Sequence, residues 1–373
     1  MQLPWPAPDH GGRCLTQVVP AAIASLTRST SPLRLPDADR VVVLLVDGLG
    51  EDLLREHAEH APFLAEMAPA VEGGIDAVFP STTAASITSL GTGLPTGSHG
   101  IVGMAFWLPE LGDVLYPLGW RDRPNPSVVQ PETTQWQLAE RMGIAVSIVG
   151  PRQFDGSGLT TSALRGGRYV GADSPGETVV AVSGAVQGSP PCLAYGYFST
   201  VDKSGHIHGA GSEQWLIDLE HTDRAIRQLA ERVPAGTLLV VTGDHGMVNC
   251  PDEARVSIDG RDFAVDVRRV AGEPRMRHVY TEPGADAAEV AQRWQRLLGE
   301  RAVVLTRAQA IDAGLFGSVA PGVDERIGDV LALPTGDGAL TMQADSIVSG
   351  LRGQHGGLTA AERRVPLLVW QAG

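Results

Sequence analysis

The run Arg40-Val-Val-Val-Leu-Leu-Val46 is followed at once by Asp47-Gly48-Leu49-Gly50. A nearly unbroken apolar run of this length fits a strand buried on both faces, as strands of a parallel sheet are. It ends on a carboxylate and on a glycine that lets the chain turn sharply. Four further β-rich runs follow, at Ile144–Val149, Cys192–Phe198, Thr237–Val241 and Val365–Trp370. Helical stretches lie between them, over Asp52–His60, Gln135–Met142 and Glu213–Glu231, the first stopping before Pro62. This alternation predicts an α/β fold with a mainly parallel central sheet sandwiched by helices.

The chain has 373 residues, 43% of them hydrophobic and 19% charged, enough for a large core and too little charge for a disordered chain. From about Cys250 to Gly350 the pattern changes to a βαβ-like piece. A run at Arg277–Tyr280 leads to a helix over Asp286–Leu298 and a run at Ala302–Leu305. A helix from Arg307 and a strand at Asp329–Leu333 follow. We read a catalytic core of residues 1–250 plus 350–373, with 251–349 as an inserted α+β cap.

A net charge of −14 repels a phosphate backbone and argues against a nucleic-acid polymer as partner. A small anionic substrate needs its charge met locally, most simply by a bound metal. No apolar run reaches membrane-spanning length, and MQLPWPAPDHGGRC lacks the basic and apolar regions of a signal peptide, so a cytoplasmic location is expected. Cys14, Cys192 and Cys250 form no CxxC spacing and read as small buried hydrophobes.

In open α/β sheets ligands bind beyond the carboxyl ends of the strands. Asp47 lies at such an end. After Cys192–Phe198 comes Asp202-Lys-Ser-Gly-His206, after Thr237–Val241 comes Asp244-His245-Gly246, and before Val365–Trp370 comes Gly353-Gln-His355-Gly-Gly357. Singly, each Asp reads as a cap or turn former and each His as a satisfied polar residue. Together they form a mixed carboxylate–imidazole set suited to zinc, large enough for two ions that would clamp a phosphoryl transfer. The segment Val78-Phe-Pro-Ser-Thr-Thr83-Ala-Ala-Ser86-Ile-Thr-Ser-Leu90 passes through Pro into a small-residue helix. A hydroxyl at that helix start meets the positive end of the dipole, and Ser81 is its natural N-cap.

These motifs, with Gly91-Thr-Gly-Leu-Pro-Thr-Gly-Ser-His99-Gly-Ile between them, resemble the alkaline phosphatase superfamily, nearest its nucleotide pyrophosphatase/phosphodiesterase branch. The resemblance runs from about Val41 to Trp370. It implies two Zn2+ (Mn2+ or Fe being alternatives), one held by Asp47, Thr83, Asp244 and His245, the other by Asp202, His206 and His355. It implies Thr83 as a nucleophile that forms a phospho-threonine intermediate, with the Ala84 N–H donating to the phosphoryl oxygen. The partner is then a small phosphorylated substrate, with diester or pyrophosphate bonds cleaved.

One departure stands out. The diesterase branch follows its threonine with Phe-Pro-Asn-His, whereas here Ala84-Ala85-Ser86-Ile87 follows. Ser86 is a shorter donor, and Thr-Ala-Ala is similar to the nucleophile segment of alkaline phosphatases proper. This keeps a phosphomonoesterase or phosphonate hydrolase open, and a non-catalytic metal-binding protein remains a third reading. A monoesterase adds a cation, for which Arg121, Arg123, Arg152, Arg165 and Lys203 are available. No sulfatase maturation motif occurs, and the chain is short for the metal-dependent mutases. Phe106 and Trp107 are candidates for stacking on a base or other flat group, while Tyr195 and Tyr197 fit strand packing better. The oligomeric state is not legible.

Overall fold

The computed structural model describes residues 3–121 and 124–373. Its central sheet has seven strands. In spatial order they are Ala68–Pro69, Leu367–Gln371, Thr237–Thr242, Arg40–Val46, Cys192–Phe198, Ala145–Gly150 and Arg168–Gly171. The last five are mutually parallel, while Leu367–Gln371 runs antiparallel to Thr237–Thr242 and to Ala68–Pro69. The sheet is therefore mixed at one edge. Val365–Trp370, read as a single strand, is divided at Pro366, which has no N–H for a ladder. Arg364–Val365 pairs with Ile75–Asp76, and the chain joins the main sheet only from Leu367.

Alternation along the central strands explains their unbroken apolar sequences. Val41, Val43 and Leu45 face one core with Leu193, Tyr195, Leu238 and Val240, covered by the helix Val18–Thr27 and by Trp136 of the helix Gln135–Arg141. Val42, Leu44 and Val46 face the other with Ala194, Leu239 and Val241, covered by Trp215, Leu219 and Ile226 of the helix Glu213–Ala230. A strand with helices on both sides has no solvent face, so no polar position interrupts it. Among the described residues no helix is long and apolar enough to cross a membrane.

Between Cys250 and Gly350 lies a separate four-stranded sheet, ordered Val267–Glu273, Met276–Thr281, Val330–Pro334, Ala302–Thr306 and antiparallel throughout. The helix Ala287–Leu298 connects Met276–Thr281 to Ala302–Thr306, with Val330–Pro334 seated between those two strands. The βαβ-like sequence is thus a split crossover. Trp294 and Val290 of that helix cover one face of the sheet. The other face buries Met276, Leu305 and Leu331 against Phe79, Ala84 and Phe316, directly behind the start of the helix Thr83–Thr92.

A buried ion pair fastens the two sheets. The Arg275 guanidinium binds Glu362 through Nε at 2.9 Å and Nη2 at 2.7 Å, both side chains fully buried. Glu362 also accepts from the Gly357 N–H at 2.9 Å and the Thr359 hydroxyl at 2.6 Å. Removing one partner from such a pair costs about 3–5 kcal/mol, because the other charge is left buried. All three cysteines are free and buried.

Candidate metal centre and active site

Register brings the motifs together. Val46 pairs with Phe198, and Leu45 with Thr242, so the three central strands end at one level. Asp47 follows the first strand directly. Asp244 comes two residues after the second, and Asp202 sits in the first turn of the helix Thr200–His208 after the third. Gly48 has φ +74°, and a Cβ there would lie 2.9 Å from the Asp202 backbone, so only glycine allows this approach. His206 is four residues after Asp202 on the same helix, one turn along the same face.

The donor atoms converge. His245 Nε2 lies 3.3 Å from Asp47 Oδ1, 3.6 Å from Asp244 Oδ2 and 3.2 Å from Thr83 Oγ1. Asp202 Oδ1 is 3.4 Å from His206 Nε2 and 3.9 Å from His355 Nε2, and those two nitrogens are 3.2 Å apart. The His245 and His355 rings stack at 3.5 Å between centroids, joining the two groups. All seven residues read as metal-shell positions therefore occupy one site.

Each imidazole is oriented by a backbone carbonyl. His206 Nδ1–H donates to Gly353 O at 2.8 Å, His245 Nδ1–H to Gly246 O at 2.9 Å and His355 Nδ1–H to Ser81 O at 2.9 Å. A carbonyl only accepts, so the proton sits on Nδ1 and all three Nε2 atoms face the centre. Facing them are Asp47 Oδ1, Asp202 Oδ1 and Asp244 Oδ2, all buried without a hydrogen-bond partner. Buried carboxylate oxygens facing imidazole nitrogens are satisfied by cations, and two groups that share His245, Asp47–Asp244–His245 and Asp202–His245–His355, are each compact enough to hold one. The donor set fits the metals expected.

The electrostatics agree. Burial and the Asp47 charge raise the Asp244 carboxyl to about 7, and the same two causes hold Asp202 well above the usual carboxylate range. Burial alone would lower His245, but Asp244 and Asp47 raise it to about 10. Metal binding displaces such protons. Asp47 has an additional partner, the hydroxyl of the buried Tyr197, which donates to Oδ2. Partners of this kind orient a ligand, so Tyr197→Phe should weaken metal affinity about 10-fold or more at unchanged fold. A chelator-competition titration beside a thermal melt measures both, and an unchanged affinity would remove Tyr197 from that role.

Thr83 opens the helix Thr83–Thr92 and is 8% exposed. The Thr83 and Ala84 N–H groups fall in the first turn, where no intrahelical acceptor exists. Ser81 is not the N-cap. Thr82 takes that position, and the Ser81 hydroxyl instead donates to Gly357 O at 2.8 Å and accepts from the Gly356 N–H at 3.3 Å. With its carbonyl on His355, Ser81 ties the segment before Thr83 to the loop Gly356–Gly357. Tertiary partners displaced the local cap.

The substrate-binding expectations fare differently. Phe106 is fully buried among Phe79, Ile101 and Met276, with no face left for a base. Trp107, on the other side of its short strand, is covered by the Arg268 guanidinium 4.2 Å above its ring. Neither lines the cavity beside Thr83. Ser86 is fully buried with an unpartnered hydroxyl, so it offers substrate no surface, and Ala84 contributes only its backbone. Arg152 is held by Asp173 and Glu177, Arg165 by the Thr161 and Glu132 carbonyls, and Arg121 and Lys203 are exposed. Arg123 lies outside the described residues.

The structure adds groups that the sequence reading lacked. Glu273 is buried beneath the His355–Gly357 loop and pushed up to about 8 by burial. It accepts from the Met104 N–H at 3.3 Å, and a Cβ on Gly356 would meet it at 2.5 Å. The cavity beside Thr83 is another addition.

A sheet whose strand ends carry two linked carboxylate–imidazole groups around a helix-start threonine defines a member of the alkaline phosphatase superfamily. Within it, the sequence model of the type I phosphodiesterase/nucleotide pyrophosphatase family matches residues 41–358, so the chain belongs to that family. Among solved structures it is similar to murine ectonucleotide pyrophosphatase/phosphodiesterase 5 (TM-score 0.70, 17% identity, 88% of this chain and 87% of that one). It is also similar to phosphonoacetate hydrolase from Sinorhizobium meliloti (TM-score 0.67, 21% identity, 90% and 91%). Among curated proteins, human GPI ethanolamine phosphate transferase 3, catalytic subunit, is 43% identical over 56 residues. That match covers 15% of this chain and 5% of the relative's length.

Proposed function

We propose that the chain is a two-metal phosphodiesterase or pyrophosphatase acting on small phosphate diesters through Thr83. The observation that carries this reading is the set of three inward-facing Nε2 atoms and three unpartnered carboxylate oxygens gathered beside Thr83 Oγ1. Asp47, Asp244 and His245, with Thr83, would hold one divalent ion, and Asp202, His206 and His355 the other, zinc being the best match to this donor set. Such ions lower the pKa of a bound hydroxyl and neutralise charge on phosphoryl oxygens.

The chain's own groups do the rest. Thr83 Oγ attacks phosphorus, and the leaving oxygen departs on the opposite side with the bonding electron pair. The Ala84 N–H, at the positive end of its helix, donates to a phosphoryl oxygen. Water then cleaves the phospho-threonine ester, restoring the hydroxyl and releasing a phosphomonoester. A solved murine neighbour bears on the nucleophile, since a threonine-to-alanine form of it, in complex with AMP, is described as inactive. Residues 251–349 act as a cap on the core formed by 1–250 and 350–373, their hairpin reaching the His355 loop through Glu273 and Arg275.

The diester reading is favoured over a monoester because Arg152 and Arg165, two of the cations that could offset a second phosphoryl charge, are engaged elsewhere. Steady-state kinetics on zinc-loaded protein, with a chelated control, test it. We expect kcat/KM for bis-p-nitrophenyl phosphate to exceed that for p-nitrophenyl phosphate by about 100-fold or more. A preference for the monoester, or for phosphonoacetate, would select the phosphomonoesterase or phosphonate hydrolase alternative.

A further inference from the structure

Behind the metal centre one residue touches both histidine loops. Glu362, in the short helix Ala360–Arg363, is fully buried. Its Oε1 accepts from the Gly357 N–H at 2.9 Å, two residues after His355. Its backbone carbonyl accepts from the Gly246 N–H at 2.8 Å, and the Gly246 carbonyl is the acceptor that orients His245. The approach is close at each link. A Cβ on Gly357 would meet the Glu362 carboxylate at 2.8 Å, and one on Gly246 would meet the Ala361 carbonyl at 1.9 Å. His245 and His355 are the two stacked rings, so one residue braces the backbone beside both.

Glu362 is held in turn from the inserted sheet. Arg275 gives it Nε and Nη2, while Nη1 donates to Gly338 O and Nη2 also to Gly336 O at 2.8 Å. Gly336 and Gly338 lie between the strands Val330–Pro334 and Ala339–Thr341. Every guanidinium nitrogen is used, and the planar fork fixes the orientation of the carboxylate it grips. Glu273, on the same hairpin, packs on the loop directly, since a Cβ on Gly356 would lie 2.5 Å from its Cγ. A buried ion pair gives little net stability over two apolar side chains of its volume. What this one supplies is a fixed direction for the oxygen that receives the Gly357 N–H.

We infer that Glu362 is a positioning residue for the metal centre, setting the His355 loop for its ion through Gly357, and that Arg275 makes this geometry depend on the docked insertion. The insertion then does more than cover the site. Its docking and ion binding near Asp202 stabilise each other, as linkage requires. The inference rests on the two-metal reading.

Two double variants, both without the ion pair, test the first half. In Arg275→Met/Glu362→Gln the amide oxygen can still accept from the Gly357 N–H, whereas in Arg275→Met/Glu362→Leu no side-chain acceptor remains. The backbone bond to Gly246 survives in both. Competition against a chromophoric chelator reads the zinc constants. The Leu pair should bind one of two zinc ions about 10-fold or more weaker than the Gln pair does. Adding His355→Ala should cost the Leu pair far less zinc affinity than it costs the parent, because the changes act on one site. Equal constants in the two pairs, or an undiminished effect of His355→Ala, would overturn the role of Glu362.

Hydrogen exchange reads the second half and needs no variant to fold. Zinc added to the chelated parent should slow exchange over residues 272–277 about 10-fold or more, in step with residues 353–363. In Arg275→Met/Glu362→Gln the protection of 272–277 should be lost. Protection confined to 353–363 in the parent would overturn the role of Arg275. A parent that binds no zinc would instead bring down the two-metal reading, and this inference with it.

Discussion

Replacing Thr83 by Ala should lower turnover of every ester by about 10³-fold or more, with the melting temperature and metal content close to those of the parent. The size of the effect follows from the role. A group that forms the covalent intermediate cannot be partly replaced, and what remains is the rate that bound metal and positioned donors give to water alone. The structural cost is small by comparison. Thr83 sits at the first position of its helix, its hydroxyl contacts His245 at 3.2 Å, and alanine is at least as good a helix former. Thr83→Ser should keep a substantial part of the rate, because the same oxygen is presented from the same backbone. A quench experiment on the parent should trap one phosphoryl group per chain, lost in the alanine variant. Near-full activity in Thr83→Ala would transfer the nucleophile's role to water and leave Thr83 as a ligand or a bystander.

The parts of this site that were legible in the sequence are those that sit next to a strand. Asp47 and Asp244 follow runs whose apolar character announces a buried parallel strand, and the predicted bounds of Arg40–Val46 and Cys192–Phe198 agree with the structure at both ends. The order of the strands was not legible, since pairing is decided by packing between segments far apart in the chain. Val267–Glu273 escaped notice because Arg268 and Arg269 are exposed and break its apolar pattern, while its buried half, Ala271–Glu273, contains a glycine and an acid. Ser81 was misread because a local rule, the N-cap preference, competes with two partners some 275 residues away that no local pattern reveals.

Phe106 and Trp107 do not line the cavity beside Thr83, for a similar reason. Phe106 and Trp107 are near the motif in sequence, but a strand turns successive side chains to opposite sides. One of them entered the core under the inserted sheet, and the other lies beneath Arg268. The cavity that does adjoin Thr83 is assembled from two strand ends, the helix Gly158–Ala163 and the segment around Leu118, none of which shares a periodicity with another. Sites of that kind are defined by the fold and become visible only with it.

The second large effect concerns the metals and is read without any substrate. Zinc at 100 times its dissociation constant should stabilise the fold by about 2.7 kcal/mol per site, several degrees in melting temperature, and chelation should reverse it. The reason is the charge the site gathers. Asp47, Asp202 and Asp244 place buried oxygens around the same histidines without hydrogen-bond donors, and burial together with the Asp47 charge disfavours ionised Asp244. Asp244→Asn separates this explanation from a general effect of zinc. The Asn oxygen can still accept from the Gly48 and His245 N–H groups, both 3.1 Å from Asp244 Oδ1, and its amide can donate where Oδ2 now faces His245. Without metal the variant should melt at or above the parent temperature, and its zinc-induced rise should shrink to that of the Asp202 site. His355→Ala should do the converse, losing the ion near Asp202 and keeping the one near Asp47, with metal content falling by about one per chain. If chelation left the parent's melting temperature unmoved and Asp244→Asn lowered it, these carboxylates would be structural acceptors with partners among the protein's own protons, and the two-metal reading would fall.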